Sequence, residues 1–133
     1  MLAGTAAGCT GPGPAPRAGE QACTTALAAA PQDVLGQSRS PIDVRGALAW
    51  GAPPIVLRCG LPPLAPTTAR CLDVNGQDWV VTDLDADPAV FTSFGTDPAV
   101  EVSVPRAYGQ QPGALVALAP VAASLPRNDR SCD

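Results

Sequence analysis

The sequence predicts an α+β domain: an antiparallel sheet of about four to five strands, with an N-terminal and a C-terminal helix packed on one face. Three observations carry this expectation. The centre of the chain is a series of short Val-rich runs, two of them separated by a turn containing Asn75-Gly76, a strong hairpin signal. Val100, Val102 and Val104 alternate with Glu101 and Ser103, the mark of a half-buried antiparallel strand. Apolar residues at helical spacing occur in two segments, one on each side of these strands, so strands and helices segregate as in α+β layers.

Residues 1–9 read as a truncated lipoprotein-type leader. The small residues Ala6-Ala7-Gly8 lead to Cys9, an acylatable cysteine. An export signal needs a basic start and an apolar stretch of about 7–15 residues, more than Met1 to Gly8 supply. Residues 10–19 read as a tether in which Pro12, Pro14 and Pro16 alternate with small residues; partly extended, it would reach roughly 30 Å. Residues 20–133 form a single disulfide-stapled domain, with an expected radius of gyration of roughly 13 Å.

The body's elements follow in order. Over residues 20–30, Cys23, Ala26, Leu27 and Ala30 share a narrow helical face, and Pro31 closes the segment. Residues 32–42, with Gly36, Ser38, Ser40 and Pro41, read as an irregular connection. Strands are expected over 54–59, 71–74, 78–82, 89–94 and 99–104, with Pro62, Pro63 and Pro66 interrupting the first two. Over 112–125, Leu115, Leu118, Ala122 and Leu125 form an apolar stripe, and Pro112 suits a first turn. Pro120 should kink or split this helix, because it removes a backbone donor and crowds the preceding turn.

Composition restricts the partners. Aromatic residues make up only 4% of the chain, so small side chains must fill the core, and each buries little area. All eight basic residues are Arg and the net charge is −4, with no basic run; nucleic acid is therefore not an expected partner. The Ala, Gly, Pro and Arg bias suggests a high-GC, actinobacterial genome.

The five cysteines are Cys9, Cys23, Cys59, Cys71 and Cys132. If Cys9 takes lipid, four remain for two disulfides in an oxidising compartment. The favoured pairs are Cys59–Cys71, closing a proline-rich loop, and Cys23–Cys132, tying the ends of the body together. They would contribute roughly 3 and 5 kcal/mol in the chain-entropy model. Zinc is disfavoured, since the chain has neither His nor a C-x-x-C pair, and no motif requires a cofactor or metal. Asp83, Asp85 and Asp87 resemble the opening of a calcium loop, but Pro88 and Phe94 stand where that loop needs Gly and Glu.

The absence of His and Lys removes Ser-His, Cys-His and Ser-Lys nucleophile systems. Arg58, inside an apolar strand, is expected to pair with an internal carboxylate such as Asp73 or Asp78; its alternative role is an anion clamp. Arg39 and Arg45 lie in the loop before the sheet and are candidate binding residues, together with Arg58. Trp50 is a further candidate, set against a role in an aromatic-poor core that also claims Trp79.

Trp50-Gly51-Ala52-Pro53, Leu57-Arg58-Cys59-Gly60 and Asn75-Gly76-Gln77-Asp78-Trp79 occur in an order and spacing that resemble a known family. It is an actinobacterial family of secreted or lipid-anchored proteins, classed as domain of unknown function 3515. Val100-Glu101-Val102-Ser103-Val104-Pro105 and the late Cys132 also fit; Ala52 departs from it, standing where an acidic residue is expected. The resemblance implies an envelope location and supplies no activity.

The expected function is thus that of a non-enzymatic lipoprotein, held to the outer face of the cell membrane through lipid on Cys9, or else secreted. It would bind an envelope protein or a cell-wall glycan. The alternative is a carboxylate-dependent envelope hydrolase acting on glycan or peptide, which would need two facing acids about 5–9.5 Å apart.

Overall fold

Two four-stranded antiparallel meanders join into one sheet in the computed structural model, which describes residues 13–82, 85–109 and 111–132. The first contains β1 (Asp33–Val34), β2 (Gln37–Ser40), β3 (Ala47–Trp50) and β4 (Ile55–Leu61). The second contains β5 (Cys71–Val74), β6 (Gln77–Val81), β7 (Ala89–Phe94) and β8 (Ala99–Val104). β8 returns to lie beside β4, giving the order β1-β2-β3-β4-β8-β7-β6-β5. Three short helices accompany the sheet: α1 (Gln21–Ala28), α2 (Gly113–Ala117) and α3 (Ala119–Ala123).

The α+β class and antiparallel sheet agree with the sequence, but the sheet has eight strands among the described residues, not four to five. The five expected runs correspond to β4 through β8. The additional three arise from residues 32–50, where β2 is polar throughout and shows no buried alternation. Its hairpin with β1 turns at Leu35-Gly36, with φ of 50° and 76°. Positive φ at both positions is the type I′ geometry, here built on Leu instead of Asn. Asn75-Gly76, with φ of 53° and 84°, makes the equivalent turn between β5 and β6.

The expected C-terminal helix is split in two. Leu118 leaves helical geometry at φ −94° and ψ 8°, so Pro120 falls in the first turn of α3, where its missing N–H costs nothing.

The core lies between the sheet and the helices. Leu57, Val102, Phe91 and Val81 are direct cross-strand neighbours on β4, β8, β7 and β6 and form a buried row. Each such burial stabilises by about 1.5–3 kcal/mol. α1 packs on β4 and against α3, which in turn rests on β6. The buried faces of the helices include Cys23, Ala26, Ala114 and Ala122, side chains small enough to allow close approach. Trp50 and Trp79 are both buried here. Trp50 Nε1 donates to the Pro31 carbonyl at 3.2 Å, whereas Trp79 Nε1 has no hydrogen-bond partner.

The disulfides are Cys23–Cys59 and Cys71–Cys132, which corrects both expected pairs. Cys59 lies on β4 and Cys71 on β5, with β8, β7 and β6 between them. At about 4.8 Å per strand, four steps place them about 19 Å apart, beyond the Cα separation of about 4.4–6.8 Å that a disulfide spans. Sequence proximity misled because β4 and β5 occupy distant places in the sheet. Cys23–Cys59 instead fastens α1 to the sheet from within, both residues being fully buried. Cys71–Cys132 holds the C-terminal tail to the β5 edge.

Residues 13–19, read from sequence as the second part of a tether, are docked on the body. Ala15 and Ala18 are buried, and Arg17 N donates to the Gly60 carbonyl at 2.8 Å. Gly60 permits this approach: at φ +114°, a Cβ there would collide with the backbone nitrogen of Ala18. Arg17 also binds Glu20 and Asp97, the latter at 2.8 Å. The hydrogen bond from Arg17 holds the Glu20 carboxyl below its ordinary pKa, and the two acids together raise the Arg17 guanidinium above its own.

Candidate functional site

Strand alternation gives the sheet a second face, opposite the helices. Val56 and Arg58 of β4, Ser103 and Glu101 of β8, Val90 and Thr92 of β7 and Val80 of β6 stand there in register. Most of these side chains are only partly covered. Arg58 and Glu101 are directly opposite each other and form an ion pair at 3.0 Å, with side chains 19% and 22% exposed. The remaining donor Nη1 of Arg58 reaches the Gly13 carbonyl at 3.0 Å.

A cleft of about 420 Å³ opens at one end of this face. Val56 and Ser103, cross-strand neighbours, lie in it, with Pro53 and Pro54 from the β3–β4 turn. Pro88, preceding β7, together with Pro105 and Ala107, following β8, completes the apolar lining. Antiparallel pairing brings these prolines together, because β4 and β7 begin where β8 ends. Proline has no N–H to satisfy, so it can line an apolar wall without orphaning a donor.

The rim is fixed by polar contacts. Tyr108 donates to the Pro53 carbonyl at 2.6 Å, and the Arg106 N–H donates to Asp87 Oδ1 at 3.0 Å. The Arg106 guanidinium binds the Asp85 carbonyl at 2.7 Å. Asp87 is the carboxylate in the cleft wall, and it is engaged by that backbone donor. The arrangement suits burial of an apolar group; a facing pair of acids is not part of it.

A second cleft, of about 580 Å³, lies between Pro66–Ala69 and the C-terminal tail, beside Cys71–Cys132. Its lining is polar, with Thr67, Thr68, Ser131, Arg130 and a single carboxylate, Asp129.

The sequence-derived candidates are dispersed. Trp50 is fully buried and is corrected from a binding residue to a core residue. Arg39 covers its ring at 5.4 Å and donates to the Ala30 and Pro31 carbonyls in the segment that follows α1. Arg45 is exposed in the β2–β3 connection, its guanidinium against Gly19. Arg58 lies on the opposite face from Arg39, and its partner is Glu101, not Asp73 or Asp78. Asp73 accepts from Gly76 N at 2.9 Å, and Asp78 from Cys132 N at 2.8 Å. Cys9 and Asp83 lie outside the described residues. Among the described residues, no group of three His, Cys, Asp or Glu side chains is placed to hold a metal, and no helix is long and apolar enough to cross a membrane.

The cleft residues were not singled out from sequence. Their signal is the set of prolines bounding β4, β7 and β8, which acquires meaning once the sheet order is known.

The family model described as Protein of unknown function (DUF3515) matches residues 4–129. The chain belongs to this family. The matched residues include Cys9, the strands and the cleft, and end before Cys132. No curated protein and no solved structure matches the chain.

Proposed function

We propose that the protein is an extracytoplasmic, membrane-anchored binding module, held by acyl chains on Cys9, whose proline-lined cleft receives an apolar group of an envelope partner. The observation that carries the anchoring is the disulfide count. Four of the five cysteines pair with one another, which leaves Cys9, behind Ala6-Ala7-Gly8, outside any internal disulfide. Two disulfides are also the expected staples of a small exported domain. Two or three acyl chains anchor firmly, each buried methylene adding about 0.8 kcal/mol.

Support for binding over hydrolysis comes from the acids. Each cleft is lined by one carboxylate, Asp87 or Asp129, among the described residues. Glu20, Asp73, Asp78, Asp97 and Glu101 are each engaged by structural donors. Glycoside hydrolysis needs two acids free to face a substrate.

The test has two arms. Cys9→Ala should move the protein from the membrane fraction to the medium, and intact mass should show acyl chains on the parent protein alone. Ser103→Trp should fill the cleft and abolish partner crosslinking from Ala107 without lowering membrane association. Unchanged membrane retention of Cys9→Ala would refute the anchoring.

A further inference from the structure

We infer that the open sheet face is held against the lipid surface itself, and that the proline-lined cleft takes apolar groups from that surface. This rests on the proposed anchoring at Cys9 and names the partner of the same cleft.

The argument is one of chain length. A free tether over residues 10–19 would let the body turn in any direction. The docking of residues 13–19 removes most of that freedom. The Gly13 carbonyl is bound by Arg58, Arg17 N is bound by the Gly60 carbonyl, and Ala15 and Ala18 are buried. Only three residues lie between Cys9 and Gly13, which makes four Cα–Cα steps. Whatever the path, these steps span at most about 14 Å, close to the radius of gyration of roughly 13 Å expected for the body.

The pinned point lies on the face opposite the helices, because Arg58 pairs with Glu101 there. The cleft opens on that same face. Val56 in its lining is two residues from Arg58 along β4, a distance of about 7 Å. A lipid-bearing Cys9 therefore keeps both Arg58 and the cleft within reach of the bilayer surface, while the helix layer points away. The surface presented includes Val56, Val80, Val90, Thr92 and Ser103, with its charges Arg58 and Glu101 neutralising each other. With a net charge of −4, the body gains nothing from anionic lipid; the short covalent leash supplies the apposition.

The test separates this geometry from the question of acylation in cells. Cys9 is the thiol outside the disulfides, so it can be coupled to maleimide-headgroup lipid in phosphatidylcholine–phosphatidylglycerol vesicles. A photo-crosslinking p-benzoylphenylalanine is placed at Thr92 or Ala107 on the open face, or at Val116, which is 55% exposed on α2. Lipid adducts are expected from Thr92 and Ala107 at least fivefold above Val116, with little change between low and high salt. Inserting a long Gly-Ser segment between Pro12 and Gly13 should erase the difference. Equal labelling of all three positions, labelling chiefly at Val116, or no lipid adducts at all would each overturn the inference. Because coupling is chemical, these outcomes do not depend on cellular acylation, which intact mass of the cell-derived protein reports separately.

Discussion

Replacing both cysteines of one disulfide by Ala, in turn, distinguishes two accounts of what the staples do. If loop closure alone mattered, the 61-residue separation of Cys71–Cys132 would make it the stronger staple. The chain-entropy model gives about 4.3 kcal/mol for it, against about 3.8 kcal/mol for the 36-residue separation of Cys23–Cys59. Packing reverses that order. Cys23 and Cys59 are fully buried between α1 and β4. Their sulfurs are roughly methylene-sized, so losing two of them removes about 1.5 kcal/mol of transfer free energy before any cavity term. The expected loss for Cys23→Ala/Cys59→Ala is then about 5–6 kcal/mol. Cys71–Cys132 is partly exposed, and its tail has other attachments. Asp97 N binds the Pro126 carbonyl and Asn128 N binds the Gly95 carbonyl, at 2.9 and 3.0 Å. Loss of this disulfide frees little beyond Asn128, so its cost should fall below about 4 kcal/mol. Urea unfolding followed by fluorescence of the buried Trp50 and Trp79 measures both variants. A Cys71→Ala/Cys132→Ala variant as unstable as the other, or more so, would refute the packing argument.

Three further outcomes follow from the same geometry. Gly60→Val places a side chain where the backbone of residues 17–18 lies, so residues 13–19 should undock; faster tryptic cleavage at Arg17, with the β8 amides still protected in hydrogen exchange, reports it. Trp50→Phe removes a donor that the Pro31 carbonyl uses, whereas Trp79→Phe removes an N–H with no partner; in urea unfolding the first should cost about 1–2 kcal/mol more than the second. Acid should loosen the docked segment: the Glu20 pKa is lowered by its hydrogen bond from Arg17, so the stabilisation is full above the ordinary value of 4.5 and fades as pH falls through the lowered one. Hydrogen exchange of residues 14–18 across that range checks the sign, and Glu20→Gln should remove most of the dependence.

What the sequence made legible depended on whether a signal was local. Asn75-Gly76 predicts its hairpin because the turn residues themselves favour positive φ. Leu35-Gly36 adopts the same turn without that chemistry, so nothing local announces the hairpin; Leu incurs a conformational cost there that the burial of Val34 and the pairing of β1 with β2 offset. The β8 alternation was readable because one face packs on helices and the other does not. Pairing partners were not readable. Arg58 finds Glu101, and Cys59 finds Cys23, because β8 inserts beside β4 and carries β5 to the far edge. No local pattern encodes that return. The cleft shares this limitation, since its prolines come from three separate parts of the chain.

The docked segment links the two halves of the functional reading. A sheet with helices on one side leaves its other side to be covered by solvent, a partner or a membrane. In an aromatic-poor protein this second face is built of Val, Ser and Thr with one neutralised ion pair, neither apolar enough to demand burial nor charged enough to repel an interface. Its orientation therefore has to come from elsewhere in the chain. Gly60, which admits the backbone at Ala18, and Arg58, which holds the Gly13 carbonyl, supply it by setting the direction in which the chain leaves the body. The same Arg58 that keeps Glu101 neutralised within the sheet thus also aims the face. Arg58→Met tests whether these roles separate: the sheet should survive with Glu101 partly solvated, while crosslinks from Thr92 to the vesicle lipid should fall toward the level seen at Val116. If they persist undiminished, the aim is set by Gly60 and Ala18 alone.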